Sequence, residues 1–141
     1  MPVIVVRNAF ALDRKSNTLW RQNEEAANAE RRHQDLVLVT ALQDATLAFK
    51  GLGEMAREDI AVHIDAGVGL PSDVTLISVE VLFDKPERTI EVRTAFAEAL
   101  KKAALECYAA CKLKNQHLVD PKLYKVEVAV RRFDPKNEVY I

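Results

Sequence analysis

Pro2 is the residue whose position alone suggests chemistry. Methionine followed by a small residue is ordinarily excised, and excision of Met1 would leave Pro2 as a free secondary amine. Set in an apolar wall beside cations, such an amine loses its proton near neutral pH, because desolvation and like charge both disfavour the ammonium. It can then remove a proton next to a carbonyl. The plain alternative is an ordinary second residue. A second group lies far along the chain, where Lys85 and Arg88 precede a helix start. Cations and helix N-terminal amides together favour a carboxylate. The alternative there is solvated turn charges partnered by Asp84 and Glu87. A third candidate is His63, a hydrogen-bond donor to a substrate oxygen or else a histidine at a subunit contact. Cys107 and Cys111 lie four apart in a helical stretch, with no further Cys and no nearby His, so they read as buried free thiols rather than a metal site.

The elements that must hold these residues follow from periodicity. Residues 3–6 form a compact β-branched run, read as a strand. Residues 21–34 are helix-compatible by propensity but carry no apolar stripe, as in a solvated helix or an arm that packs on a partner, with Leu19 and Trp20 to pin it. From Leu36 onward, Leu38, Leu42, Ala45, Phe49 and Leu52 recur at helical spacing, and Gly51 and Gly53 end the run. Ile60, Val62 and Ile64 alternate as a strand, and the loop at 65–73 is not a nucleotide-binding glycine loop. Residues 74–83 alternate most strongly, with Ile77, Val79, Val81 and Phe83 on one face. Thr89 is placed to cap a long helix whose stripe is Val92, Phe96, Ala99, Leu100, Ala103, Cys107 and Cys111. Val126, Val128 and Val130 mark a further strand, and residues 138–141 a short edge strand.

The order is β-α-β, loop, β-α-β, an α+β chain of two consecutive βαβ units. Two architectures share it: a tautomerase-like pair of parallel βαβ units, and a ferredoxin-like βαββαβ sheet. The length of 141 residues suits one domain over 1–141, with pseudo-repeat halves at about 1–66 and 72–141. Half of the composition, 49%, is hydrophobic, enough for a core. A formal net charge of −1 excludes the basic excess of a nucleic-acid-binding domain and leaves room for a small anionic ligand. The opening apolar run is too short for a signal peptide and nothing approaches a membrane span, so a cytoplasmic protein with no membrane partner is expected.

The opening Pro2-Val3-Ile4-Val5-Val6, the segment Ile60-Ala61-Val62-His63-Ile64 and the stretch from Val79 through Asp84-Lys85-Pro86-Glu87-Arg88-Thr89 resemble the tautomerase superfamily. The nearest groups are 5-carboxymethyl-2-hydroxymuconate isomerase and macrophage migration inhibitory factor. The resemblance implies an N-terminal proline base at Pro2 and a carboxylate anchor at Arg88. Lys85 and His63 would be lesser contributors. It implies a homotrimer, no metal and no organic cofactor. The expected activity is keto–enol tautomerisation, or a related proton transfer, on a small 2-hydroxy or 2-oxo carboxylate. The rival expectation is a non-enzymatic oligomeric assembly or binding protein of the same or a ferredoxin-like fold. Three departures stand out. Glu87 occupies the glycine position of the family's Gly-Arg turn. Residues 13–35 lengthen the first connection. His63 and Glu127 stand near where 4-oxalocrotonate tautomerase has a second-strand arginine.

Overall fold

The computed structural model describes residues 2–10, 24–65, 74–82, 85–110 and 125–131. Strand β1 (Val3–Arg7) is followed by helix α1 (Glu24–Ala48), then by two single 3-10 turns, Lys50–Leu52 and Arg57–Asp59. Strands β2 (Ala61–Asp65) and β3 (Val74–Val79), helix α2 (Ile90–Ala110) and strand β4 (Lys125–Val130) complete the order. The expected pin at Leu19 and Trp20, the loop at 66–73, Phe83, Asp84, Cys111 and the edge strand at 138–141 lie outside the described residues.

The four strands make one mixed sheet in the order β2-β1-β3-β4. β1 runs parallel to β2, with Val5 opposite His63, and β3 runs parallel to β4, with Ile77 opposite Val128. The two units meet antiparallel at the centre, Ile4 opposite Val79 and Val6 opposite Ile77. The ferredoxin-like alternative is thereby corrected. There the parallel strands of each unit are split by a third strand, whereas here β1 and β2 are hydrogen-bonded neighbours, as are β3 and β4.

Alternation decides which side chains face the helices. Ile4, Val6, Ile77 and Val79 are fully buried, and they join Leu38 and Leu42 of α1 and Phe96, Leu100 and Ala104 of α2 in one core. The segment at 24–34, which has no apolar stripe, is continuous with the amphipathic run after it, giving one 25-residue helix. Propensity carries its first turns and core packing its last ones. The stripe expected on α2 is rotated slightly, with Ala104 and Tyr108 buried alongside Phe96, Leu100 and Cys107.

Behind β1 the chain makes a strained turn. Asn8 and Phe10 adopt φ of 60° and 53°, a left-handed conformation tolerated by Asn but unusual for Phe. A buried network holds it. The Phe10 N–H donates to the Tyr108 hydroxyl (3.0 Å), which bonds the Thr75 hydroxyl (2.9 Å), and Thr75 donates to the Asn8 carbonyl (2.9 Å). The rings of Phe10 and Tyr108 lie 4.5 Å apart.

The opposite face of the sheet carries Val3, Val5, Leu76 and Ser78 among charged residues. His63, Lys125, Glu127 and Arg131 are exposed there, and Arg7 pairs with Glu80 at 3.4 Å. Among the described residues no helix covers this face. No helix among them is long and apolar enough to cross a membrane.

Candidate functional site

One end of the sheet gathers four ends of elements: the start of β1, the end of β3, the start of α2 and the connection from α1 to β2. Pro2 enters there. Its carbonyl accepts the Ala61 N–H (3.2 Å), so the start of β2 holds it from one side. On the other side, the last central bond runs from the Glu80 N–H to the Val3 carbonyl (2.9 Å). Continuing the register of Ile4 with Val79 by two places sets Pro2 opposite Val81. Alternation predicts β3 through residue 83, but the strand stops at Val79 because β1 runs out as its partner. Val81 and Leu82 leave the ladder and become a wall.

The second wall is the turn before α2. The Arg88 N–H bonds the Lys85 carbonyl (2.9 Å), closing a four-residue turn with Pro86 at its second position, where a fixed φ suits it. The only non-glycine residues of positive φ among those described are Asn8 and Phe10, so this turn needs no glycine and Glu87 sits in it without strain. Thr89 then caps the helix as expected, its hydroxyl accepting the Val92 N–H at 3.3 Å.

The third wall comes from the α1–β2 connection. Gly51 packs so closely that a Cβ there would lie 2.9 Å from the Phe49 ring and 3.2 Å from Val92. Gly53 has a φ of 91°, and its N–H bonds the Lys50 carbonyl. This sharp bend turns the Leu52 carbonyl toward Arg88, whose Nη2 donates to it at 3.1 Å. Further on, the Asp59 carboxylate accepts the Ala56 N–H (3.0 Å), and Arg57 is drawn back to α1 by its ion pair with Asp44.

These walls enclose a cavity of about 190 Å³ lined by Pro2, Glu54, Met55, Asp59, Val81, Leu82, Lys85 and Arg88. Pro2 is buried, Arg88 half-buried, and Lys85, Glu54 and Asp59 are exposed at the rim. Three of the four residues singled out in the sequence therefore share one cavity. The fourth does not join them: His63 is exposed on the far face of the sheet, opposite Val5 in register. Sequence reasoning misses Glu54, Asp59 and Met55, because isolated residues in an irregular connection carry no periodic signal. The arrangement offers an apolar floor, two cations for a carboxylate and two carboxylates at the rim. Among the described residues no group of three or more His, Cys, Asp or Glu is placed to hold a metal.

No family model and no curated protein sequence matches the chain. A solved structure does: a fused wild-type 4-OT (4-oxalocrotonate tautomerase) symmetric trimer superposes with a TM-score of 0.57 at 16% identity, over 94% of this chain and 86% of that one. The correspondence extends over the β-α-β-β-α-β order and the mixed four-stranded sheet. The chain therefore has the tautomerase fold.

Proposed function

We propose that the chain is a cofactor-independent tautomerase, moving a proton on a small 2-hydroxy or 2-oxo carboxylate. The observation that carries this reading is the cavity that gathers Pro2 with Lys85 and Arg88, residues more than eighty positions apart in the chain. In the proposal Met1 is removed and Pro2 is the general base. A buried secondary amine is disfavoured as its ammonium, and a neutral amine accepts the proton alpha to the carbonyl and returns it to the other end of the conjugated system. Arg88 holds the substrate carboxylate, and Lys85 adds a second, more mobile charge. Neither role needs a metal or organic cofactor.

The whole chain, 1–141, acts in this reading as one domain, and three copies assemble into a homotrimer. The support is the sheet face that no described helix covers, where Val3, Val5, Leu76 and Ser78 are half-buried or buried amid charged residues. The solved structure of the same fold is itself a symmetric trimer. His63 is assigned to this face, serving contacts between subunits rather than the substrate. The buried thiol of Cys107 suits the reducing cytoplasm.

The test is ketonisation of the enol of phenylpyruvate, a monocarboxylate, by protein shown by intact mass to lack Met1, beside Pro2→Ala. The expected result is a rate loss of about a hundredfold or more, the usual worth of a positioned general base. Equal rates would remove the catalytic role and favour a binding or assembly protein on the same fold.

A further inference from the structure

The cavity is charged with both signs. Lys85 and Arg88 stand on the α2 side, and Glu54 and Asp59 on the side of the α1–β2 connection, with Pro2, Met55, Val81 and Leu82 between them. Four ionic residues at the mouth of so small a space constrain what enters. We infer that the site selects monocarboxylates whose far end donates a hydrogen bond, a hydroxyl above all, and disfavours dicarboxylates. The inference rests on the proposed function only in seating the substrate carboxylate at Lys85 and Arg88.

Charge placement sets this preference. A carboxylate beside the guanidinium of Arg88 and the ammonium of Lys85 gains charge-assisted hydrogen bonds. With that end fixed, the rest of a short ligand spans the apolar middle and meets Glu54 or Asp59. Ionised carboxylates only accept hydrogen bonds. A hydroxyl there donates to them, an apolar end leaves them in water, and a second carboxylate meets like charge with nothing to share. Asp59 already takes the Ala56 N–H, which fixes where its carboxylate stands, and its second oxygen has acceptor capacity of its own. Arg57, a nearby cation that could neutralise the acidic side, is engaged with Asp44 and with Gln43 of α1 and does not line the cavity. Because Glu54 and Asp59 are exposed, the discrimination is screened by salt and is largest at low ionic strength.

The test uses three ligands with one scaffold and no turnover: phenylacetate, 4-hydroxyphenylacetate and 4-carboxyphenylacetate. Affinities are measured by titration calorimetry or ligand-observed NMR on the full chain at low salt. The expected order is hydroxyl first, then hydrogen, then carboxylate, with the first and last separated by about tenfold or more, the step a single close like charge produces. In Glu54→Gln/Asp59→Asn the dicarboxylate should gain about tenfold while phenylacetate stays within about threefold. The amide oxygen introduced at position 59 would still accept the Ala56 N–H, and Glu54→Gln alone repeats the test should the double variant fold poorly. Raising the salt on the wild-type protein should narrow the spread. Equal binding of the hydroxyl and carboxyl ligands, an unchanged ratio in the variants, or no binding by any of the three would overturn the inference. Turnover unaffected by Pro2→Ala with the binding order intact would overturn the proposed function alone.

Discussion

Arg88 donates to the backbone carbonyl of Leu52 across 36 residues of sequence, at 3.1 Å, and so ties the turn before α2 to the bend after α1. The guanidinium is held in place by a group that does not move with the ligand, which is the arrangement that presents it to an anion at low entropic cost. Replacing Arg88 by Ala removes both functions. The expected loss is about 1 kcal/mol of fold stability, typical of one partly exposed hydrogen bond, against ~1.5–3 kcal/mol of affinity for a carboxylate ligand. Urea unfolding and ligand titration on the same preparation separate the two. A large stability loss with unchanged affinity would make Arg88 a structural residue only.

Tyr108→Phe tests the buried network behind β1. The ring and its contact with Phe10 remain, but the Phe10 N–H loses its acceptor and the Thr75 hydroxyl keeps only its bond to the Asn8 carbonyl. A buried donor left without a partner costs ~1–3 kcal/mol, and here it also stops offsetting the left-handed φ of Phe10. The midpoint of urea unfolding should fall accordingly with its slope unchanged. A double-mutant cycle with Thr75→Val should show coupling, because both hydroxyls belong to one chain of bonds.

The frame of this fold was legible because strands announce themselves by alternation. Ile77 and Val79, Val126 and Val128, and Val62 and Ile64 all fall where period-two reading set them, whereas Ile60 precedes β2. The Thr89 cap was equally plain, a hydroxyl immediately before an apolar helix. What alternation cannot express is which strands become neighbours, and only the register of Val5 with His63 and of Ile4 with Val79 separates the two architectures. Pro2, Lys85 and Arg88 were picked out by chemical type, and their sharing of one cavity comes from the topology. The acidic side of the cavity was invisible, since Glu54 and Asp59 look like any exposed loop charges until the bend at Gly51 and Gly53 brings them round.

That bend gives a prediction of its own. Gly51→Ala would press a methyl group against the Phe49 ring, which itself lies tilted against the Phe96 ring at 5.4 Å, and against Val92. Overpacking of this kind costs ~1–3 kcal/mol. The displaced bend also carries Leu52, Glu54 and Met55, so ligand affinity should fall along with the melting temperature. A variant of wild-type stability and affinity would show that the Phe49 ring yields freely.

Assembly is read by sedimentation equilibrium at micromolar concentration. The sheet face that no described helix covers leads us to expect a trimer, and Leu76→Asp on β3, half-buried on that face, should shift it toward monomer. A monomeric wild-type protein would contradict the assembly proposal and leave the fold untouched.

The proposed role of Pro2 as the base is probed at its own nitrogen, by a 15N NMR titration of proline-labelled protein. Burial of Pro2 disfavours its ammonium, and Lys85 and Arg88 act in the same direction. Glu54 and Asp59, exposed at the rim, oppose them, and the proposal requires that burial and the two cations decide the sign. The expected result is a free amine titrating below the ordinary α-amino range of ~7.7–8.0. A further fall is expected in Glu54→Gln/Asp59→Asn, where the opposing carboxylates are gone. The lower limb of the ketonisation pH–rate profile should share the midpoint. A Pro2 nitrogen that is an amide, or an amine that titrates at or above the ordinary range, would contradict a catalytic Pro2.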